Sequence, residues 1–179
     1  MMTTTPSPLP PVDDLAAALM AGDPTYGVPS RVDLPDGRWL TMAVEPDDID
    51  PLDDMGEGTW TGPVVAVERS SWSIHPEPRP GGFDGRARKL HVHDRGDYWW
   101  QVPDDIPAES VVEFGRSICD LLAYGYSYVV VKLHERVTDS TGGTHAVEVD
   151  WAALGGIEPF PDDAYLREVA GDLIAEVLA

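Results

Sequence analysis

Apolar residues near the C-terminal end of the chain recur at three- and four-residue intervals: Leu166, Val169, Ala170, Leu173, Ile174 and Val177. That spacing lines one face of an α-helix. Asp162 or Asp163 stands just before the stripe and suits its N-cap. A second stripe runs through "PAESVVEFGRSICDLLAYG", where Val111, Phe114, Ile118, Leu121 and Leu122 share a face. Pro107 suits the first turn of this helix and Gly125 the position after its last. "VDDLAAALMAG" (12–22) predicts a shorter helix, capped by Asp13 or Asp14 and ended by Gly22.

Elsewhere the period falls to two, the signature of strands with one buried face. "SRVDLPDGRWLTMAV" (30–44) reads as a hairpin about Pro35-Asp36-Gly37. "TWTGPVVAVE" (59–68) reads as a strand, and Pro63 implies an edge position or a start at Val64. "RKLHVH" and "DYWWQV" form a hairpin about Asp94-Arg95-Gly96. Facing His93 with Asp97, Val92 with Tyr98 and Leu90 with Trp100 groups the apolar side chains. It leaves Lys89, His91, His93, Trp99 and Gln101 on the other face. "YSYVVVKLHERV" and "THAVEVDW" pair about "TDSTGG", with Val131 and Leu133 against Val147 and Val149 and Lys132 opposite Glu148 or Asp150. "LGGIEP" (154–159) reads as a Gly-Gly turn between that hairpin and the last helix.

The order predicts an α+β fold: an antiparallel sheet built from hairpins, with the central and C-terminal amphipathic helices packed on one face. Residues 1–11, rich in Thr, Ser and Pro, predict a disordered tail, and residues 12–179 a single α+β domain. No apolar run approaches the ~20 residues that span a bilayer, and the N-terminus lacks the basic and apolar regions of a signal peptide. A cytoplasmic protein is expected. Cys119 is the single cysteine, which leaves no internal disulfide or multi-cysteine zinc site. It lies beside an apolar stripe and reads as packing.

Charge changes the picture. Twelve basic residues stand against 32 acidic ones, a net −20. Phosphate binding needs clustered Lys and Arg, so direct binding to nucleic acid or an anionic membrane is disfavoured. A basic protein partner is the electrostatic complement. Six of the cations (Arg69, Arg79, Arg86, Arg88, Lys89 and Arg95) sit together in sequence and are expected to offset acidic neighbours.

The densest acidic stretch is "EPDDIDPLDDMGE" (45–57), with seven acidic residues and no basic one. It fails the calcium-loop pattern: a frame starting at Asp48 puts Leu52 at the fifth position and Asp53 where Gly is required. Extended, the run would reach roughly 43 Å. Its charge spacing of ~6 Å is within a factor of two of the ~3.4 Å spacing in a DNA strand. Pro46 and Pro51 would hold it extended, and Ile49, Leu52 and Met55 would anchor it. Asp47, Asp48, Asp50, Asp53, Asp54 and Glu57 are therefore candidate partner-binding residues, with an outward Trp99 as an apolar anchor.

His91 and His93, two residues apart on a strand, are an alternative metal pair. A self-association surface at Trp99 is a third reading. No nucleophile motif, phosphate-binding loop or dinucleotide fingerprint occurs, so no catalytic residue and no cofactor is expected.

The segments "FDGRARKLHVHDRGDYWWQVP" and "AALGGIEPFPDDAYLREVAGDLIAEVL" resemble parts of small acidic proteins of actinobacterial phages and mobile elements. The resemblance covers roughly residues 30–179. It implies a setting, an accessory phage or mobile-element protein in an actinobacterial cytoplasm, and no particular reaction.

Overall fold

The computed structural model describes residues 8–22, 24, 28–56, 59–67, 79–159 and 161–179. In chain order the elements are α1 (Val12–Ala21), β1 (Ser30–Asp33), β2 (Trp39–Pro46), α2 (Pro51–Asp54), β3 (Val64–Ala66), β4 (Ala87–Val92), β5 (Gly96–Gln101), α3 (Val111–Tyr124), β6 (Ser127–Thr138), β7 (Thr144–Ile157) and α4 (Asp163–Val177). The class is α+β with antiparallel pairing throughout. The chain from residue 12 onward, read as one domain, comprises two compact units. One joins the described residues up to Asp47 with Ser127–Ala179, and the other is Asp48–Tyr126.

The first unit carries a four-stranded sheet in the order β1-β2-β6-β7. Helices α1 and α4 cover one face. Leu15 and Leu19 of α1 meet Leu40 and Met42 of β2, Val129 and Val131 of β6, and Ala170 and Ile174 of α4. Each fully buried side chain of this size contributes about 1.5–3 kcal/mol relative to exposure. Pro11 precedes α1 without a side-chain cap, so Asp13 and Asp14 act from the first turn on the helix dipole rather than as caps. Gly22 ends α1 as expected. A Cβ there would lie 2.7 Å from the Ser30 Cβ, so only glycine lets the helix end approach β1. Of the tail expected to be disordered, residues 1–7 lie outside the described residues.

The second unit carries a three-stranded sheet in the order β3-β5-β4, with α3 packed on it. Trp100 is at its centre and donates its indole N–H to the Thr61 carbonyl. Ile118, Leu121 and Leu122 of α3 are buried over this sheet. Gly115 lets the helix settle there, since a Cβ would meet the Trp100 ring at 3.3 Å. The central and C-terminal helices thus cover two different sheets, not one shared face. Pro107 sits one turn before α3, in the turn closed by Ser110 N–H on its carbonyl. Gly125 takes φ 74° at the C-terminal end.

One strand detail follows the sequence pattern and two pairings depart from it. Strand β3 begins only after Pro63 and is an edge. The β4–β5 pairing is offset by two residues: Val92 faces Gly96, His91 faces Asp97, Leu90 faces Tyr98 and Arg88 faces Trp100. The chain reverses through Val92–Arg95, with the Arg95 N–H on the Val92 carbonyl and Asp94 at φ 62°. His93 is spent in that turn. A slip of two keeps every side chain on its face, so the apolar grouping survives.

In β6–β7, Val131 faces Ala152, Lys132 faces Trp151 and Leu133 faces Asp150. A bulge then leaves Val149 without a partner before His134 faces Glu148. Ala152 thereby takes the core position opposite Val131 that a valine was expected to fill, while Trp151 and Leu154 stay exposed. Gly155 and Gly156 lie within β7 rather than in a turn.

Candidate functional site

Along the chain, the acidic run crosses from one unit to the other between Asp47 and Asp48. Asp47 ends the β2 side and is half-buried; its carboxylate accepts the Gly156 N–H at 3.0 Å. From Asp48 the run belongs to the other unit. Asp50 takes β geometry at the N-cap of α2 and accepts the Leu52 N–H at 3.0 Å. Pro51 occupies the first helical turn. Asp50-Pro51 therefore starts a helical turn instead of holding an extended segment. Four helical residues rise about 6 Å, against about 13 Å as a strand. Met55 is buried in the core of its unit and Leu52 packs against that core, whereas Ile49 is exposed.

What remains for a partner is narrower than the sequence suggests. Asp48, Asp53 and Asp54 are exposed and make no side-chain hydrogen bond or ion pair among the described residues. Asp47 and Asp50 are engaged with backbone N–H groups. Glu57 lies outside the described residues.

The histidine pair is not assembled. His91 Nδ1 lies 2.6 Å from Asp97 Oδ1, and Lys89 Nζ lies 3.1 Å from the other oxygen of the same carboxylate. His93, in the turn, pairs with Asp94 at 2.8 Å with both side chains in solvent. No group of three or more His, Cys, Asp or Glu side chains could hold a metal ion among the described residues. Cys119 donates toward the His91 carbonyl at 3.9 Å. Burial, aided by the neighbouring Asp120, pushes its thiol above the usual range, which disfavours the nucleophilic thiolate.

Trp99 does lie opposite the Trp100 core, but it is not the free outward anchor expected. It is half-buried, the Arg79 guanidinium lies 5.9 Å from its ring, and its indole N–H is buried without a hydrogen-bond partner among the described residues. Of the basic cluster, Arg69 lies outside the described residues, and Arg79, Arg86, Arg88 and Lys89 are engaged locally. Arg79 donates to the Asp84 carbonyl, Arg86 to those of Asp104 and Ile106, and Arg88 to Gly85, Arg86 and Ala87.

Two features were not legible in the sequence. On the face of the larger sheet opposite the one that α1 and α4 cover, Trp39 stacks on His134 with ring centres 5.4 Å apart, and Arg31 lies 4.4 Å from the Trp39 ring. Burial holds His134 below the ordinary imidazole range, and its Nε2 lies 2.9 Å from the Thr41 hydroxyl. The other feature is the outer edge of β7, where Val149, Trp151 and Leu154 are 49%, 59% and 43% exposed. Alternation in "HAVEVDWAAL" signals a strand but not that it lies at a sheet edge.

No protein-family model matches the sequence, and neither the curated proteins nor the solved structures yield a match. No described helix is long and apolar enough to cross a membrane.

Proposed function

We propose that this chain is an acidic, non-enzymatic binding protein that occupies a basic surface of another protein. The observation that carries the reading is the trio Asp48, Asp53 and Asp54: exposed carboxylates, free of internal partners among the described residues, in and beside a helical turn anchored by Leu52 and Met55. The net charge of −20 supports it, because a strong field of one sign speeds the encounter with a partner of the other. Apolar contacts then set the lifetime of the complex. Carboxylates in this role stand where phosphates would on a nucleic-acid-handling protein. The setting is an actinobacterial cytoplasm, where such a protein serves counter-defence against a host factor or immunity to a rival's toxin.

The test is affinity capture from an actinobacterial lysate at low salt, released by a salt step and read by mass spectrometry. Wild type and the Asp48→Asn, Asp53→Asn, Asp54→Asn triple variant are run side by side. The variant preserves shape and removes three charges. One nucleic-acid-handling protein, retained by wild type and reduced about tenfold or more by the variant, is the expected result. Equal recovery by both sinks the reading.

A further inference from the structure

Strand β7 is 14 residues long and ends the sheet, and among the described residues only β6 pairs with it. Such an edge is a template for another strand unless charge or irregularity blunts it. Both devices occur here. The bulge at Val149 interrupts the edge, and Glu148 and Asp150 flank it. Beyond the bulge, residues 150–154 pair in regular register with Leu133 to Val129.

In an antiparallel ladder, successive residues turn their N–H and C=O groups to alternate sides. The Trp151 N–H donates to the Asp150 carboxylate at 2.8 Å, which marks it as facing outward. Ala153, two residues on, faces the same way. The edge is thus guarded at one point, by an anion resting on the N–H that an incoming strand needs.

We infer that the outer edge of β7 over residues 150–154 docks an extended basic segment of the protein partner by antiparallel strand addition. This inference rests on the binding role proposed above and names the mode of docking. A Lys or Arg on the incoming strand draws the Asp150 carboxylate off the Trp151 N–H and frees the edge. Main-chain hydrogen bonds supply affinity, and the exposed Trp151 and Leu154 side chains select apolar neighbours. Charge decides the occupant. Strand β7 contains Glu148 and Asp150 and no Lys or Arg. A second copy would set these carboxylates near their own equivalents, on chains that each carry −20.

The test uses the full chain and two fluorescent peptides of about ten residues, one alternating Lys-Val and the other Lys-Pro. Their charges are equal, but proline has no N–H to add to a ladder. Lys-Val should bind about tenfold tighter than Lys-Pro and slow hydrogen exchange at the Trp151 and Ala153 amides. Ala153→Pro should abolish the preference. Asp150→Asn, which keeps the fold without a proline, should weaken Lys-Val binding severalfold.

Equal affinity for the two peptides, no binding, or unchanged exchange at 151 and 153 overturns the inference. So does a dimer in sedimentation that Ala153→Pro dissolves, which would give the edge to a second copy. Equal binding of both peptides that the Asp48, Asp53, Asp54 variant abolishes would leave the acidic-surface reading standing while strand docking falls.

Discussion

Asp139, at the tip of the β6–β7 hairpin, accepts from the Thr141 hydroxyl at 2.6 Å, the Thr141 N–H at 2.8 Å and the Gly143 N–H at 3.0 Å. All three donors favour the ionised carboxylate, the Thr141 hydroxyl most, and hold its pKa below the ordinary 3.8. A depressed carboxylate pKa adds stability that is complete above the unfolded value and lost as pH falls through the folded one. The loss therefore lies below pH 3.8 and leaves neutral solution unaffected. Carbon-detected titration should place the Asp139 midpoint under 3.8, and Thr141→Val should raise it. A midpoint at or above 3.8 in wild type would show that the turn does not hold the anion. Hydrogen bonding also separates the acids of the 45–57 run. Those whose carboxylates accept backbone N–H groups, Asp47 and Asp50, are structural, and the exposed trio is free for a partner.

Among the three longer helices, α4 is the one with a side-chain cap. The Asp162 carboxylate accepts the Tyr165 N–H at 2.7 Å, whereas α1 and α3 start without such a bond. Asp162→Ala should cost about 1 kcal/mol in urea unfolding. Asp163→Ala, which loses only a first-turn charge, should cost less; equal losses would reduce the cap to a dipole effect.

Helix α4 and its cap were readable because cap and apolar stripe are local. The faces of β4 and β5 were readable for the same reason. Their register was not, because pairings two residues apart put the same side chains on the same faces. The turn through Asp94 made the choice. The β6–β7 register turned on a bulge, which breaks the parity that sequence reasoning assumes. Among the candidate residues, exposure of Asp53 and Asp54 followed from composition. The engagement of Asp47 depended on Gly156, 109 positions away, and no local pattern encodes such a contact.

At the scale of the molecule, Pro46 and Ser127 are direct partners in the β2–β6 ladder. Residues between them form a unit inserted where a hairpin turn would stand. Each unit has its own core: every buried residue of the larger cluster lies outside Asp48–Tyr126, and every buried residue of the other lies within it. Paired antiparallel residues have Cα atoms about 5 Å apart, a gap that an Asn-Gly turn closes. Replacing residues 47–126 with Asn-Gly should therefore leave a protein that unfolds cooperatively, with β1-β2-β6-β7 paired and α1 and α4 in place. Circular dichroism and hydrogen exchange at Val129 and Val131 would check it, and loss of cooperative unfolding would show that the units depend on each other. The shortened protein also separates the two surfaces. It keeps the β7 edge and lacks Asp48, Asp53 and Asp54, so Lys-Val binding that persists in it locates strand docking in the host unit, independent of the acidic insertion.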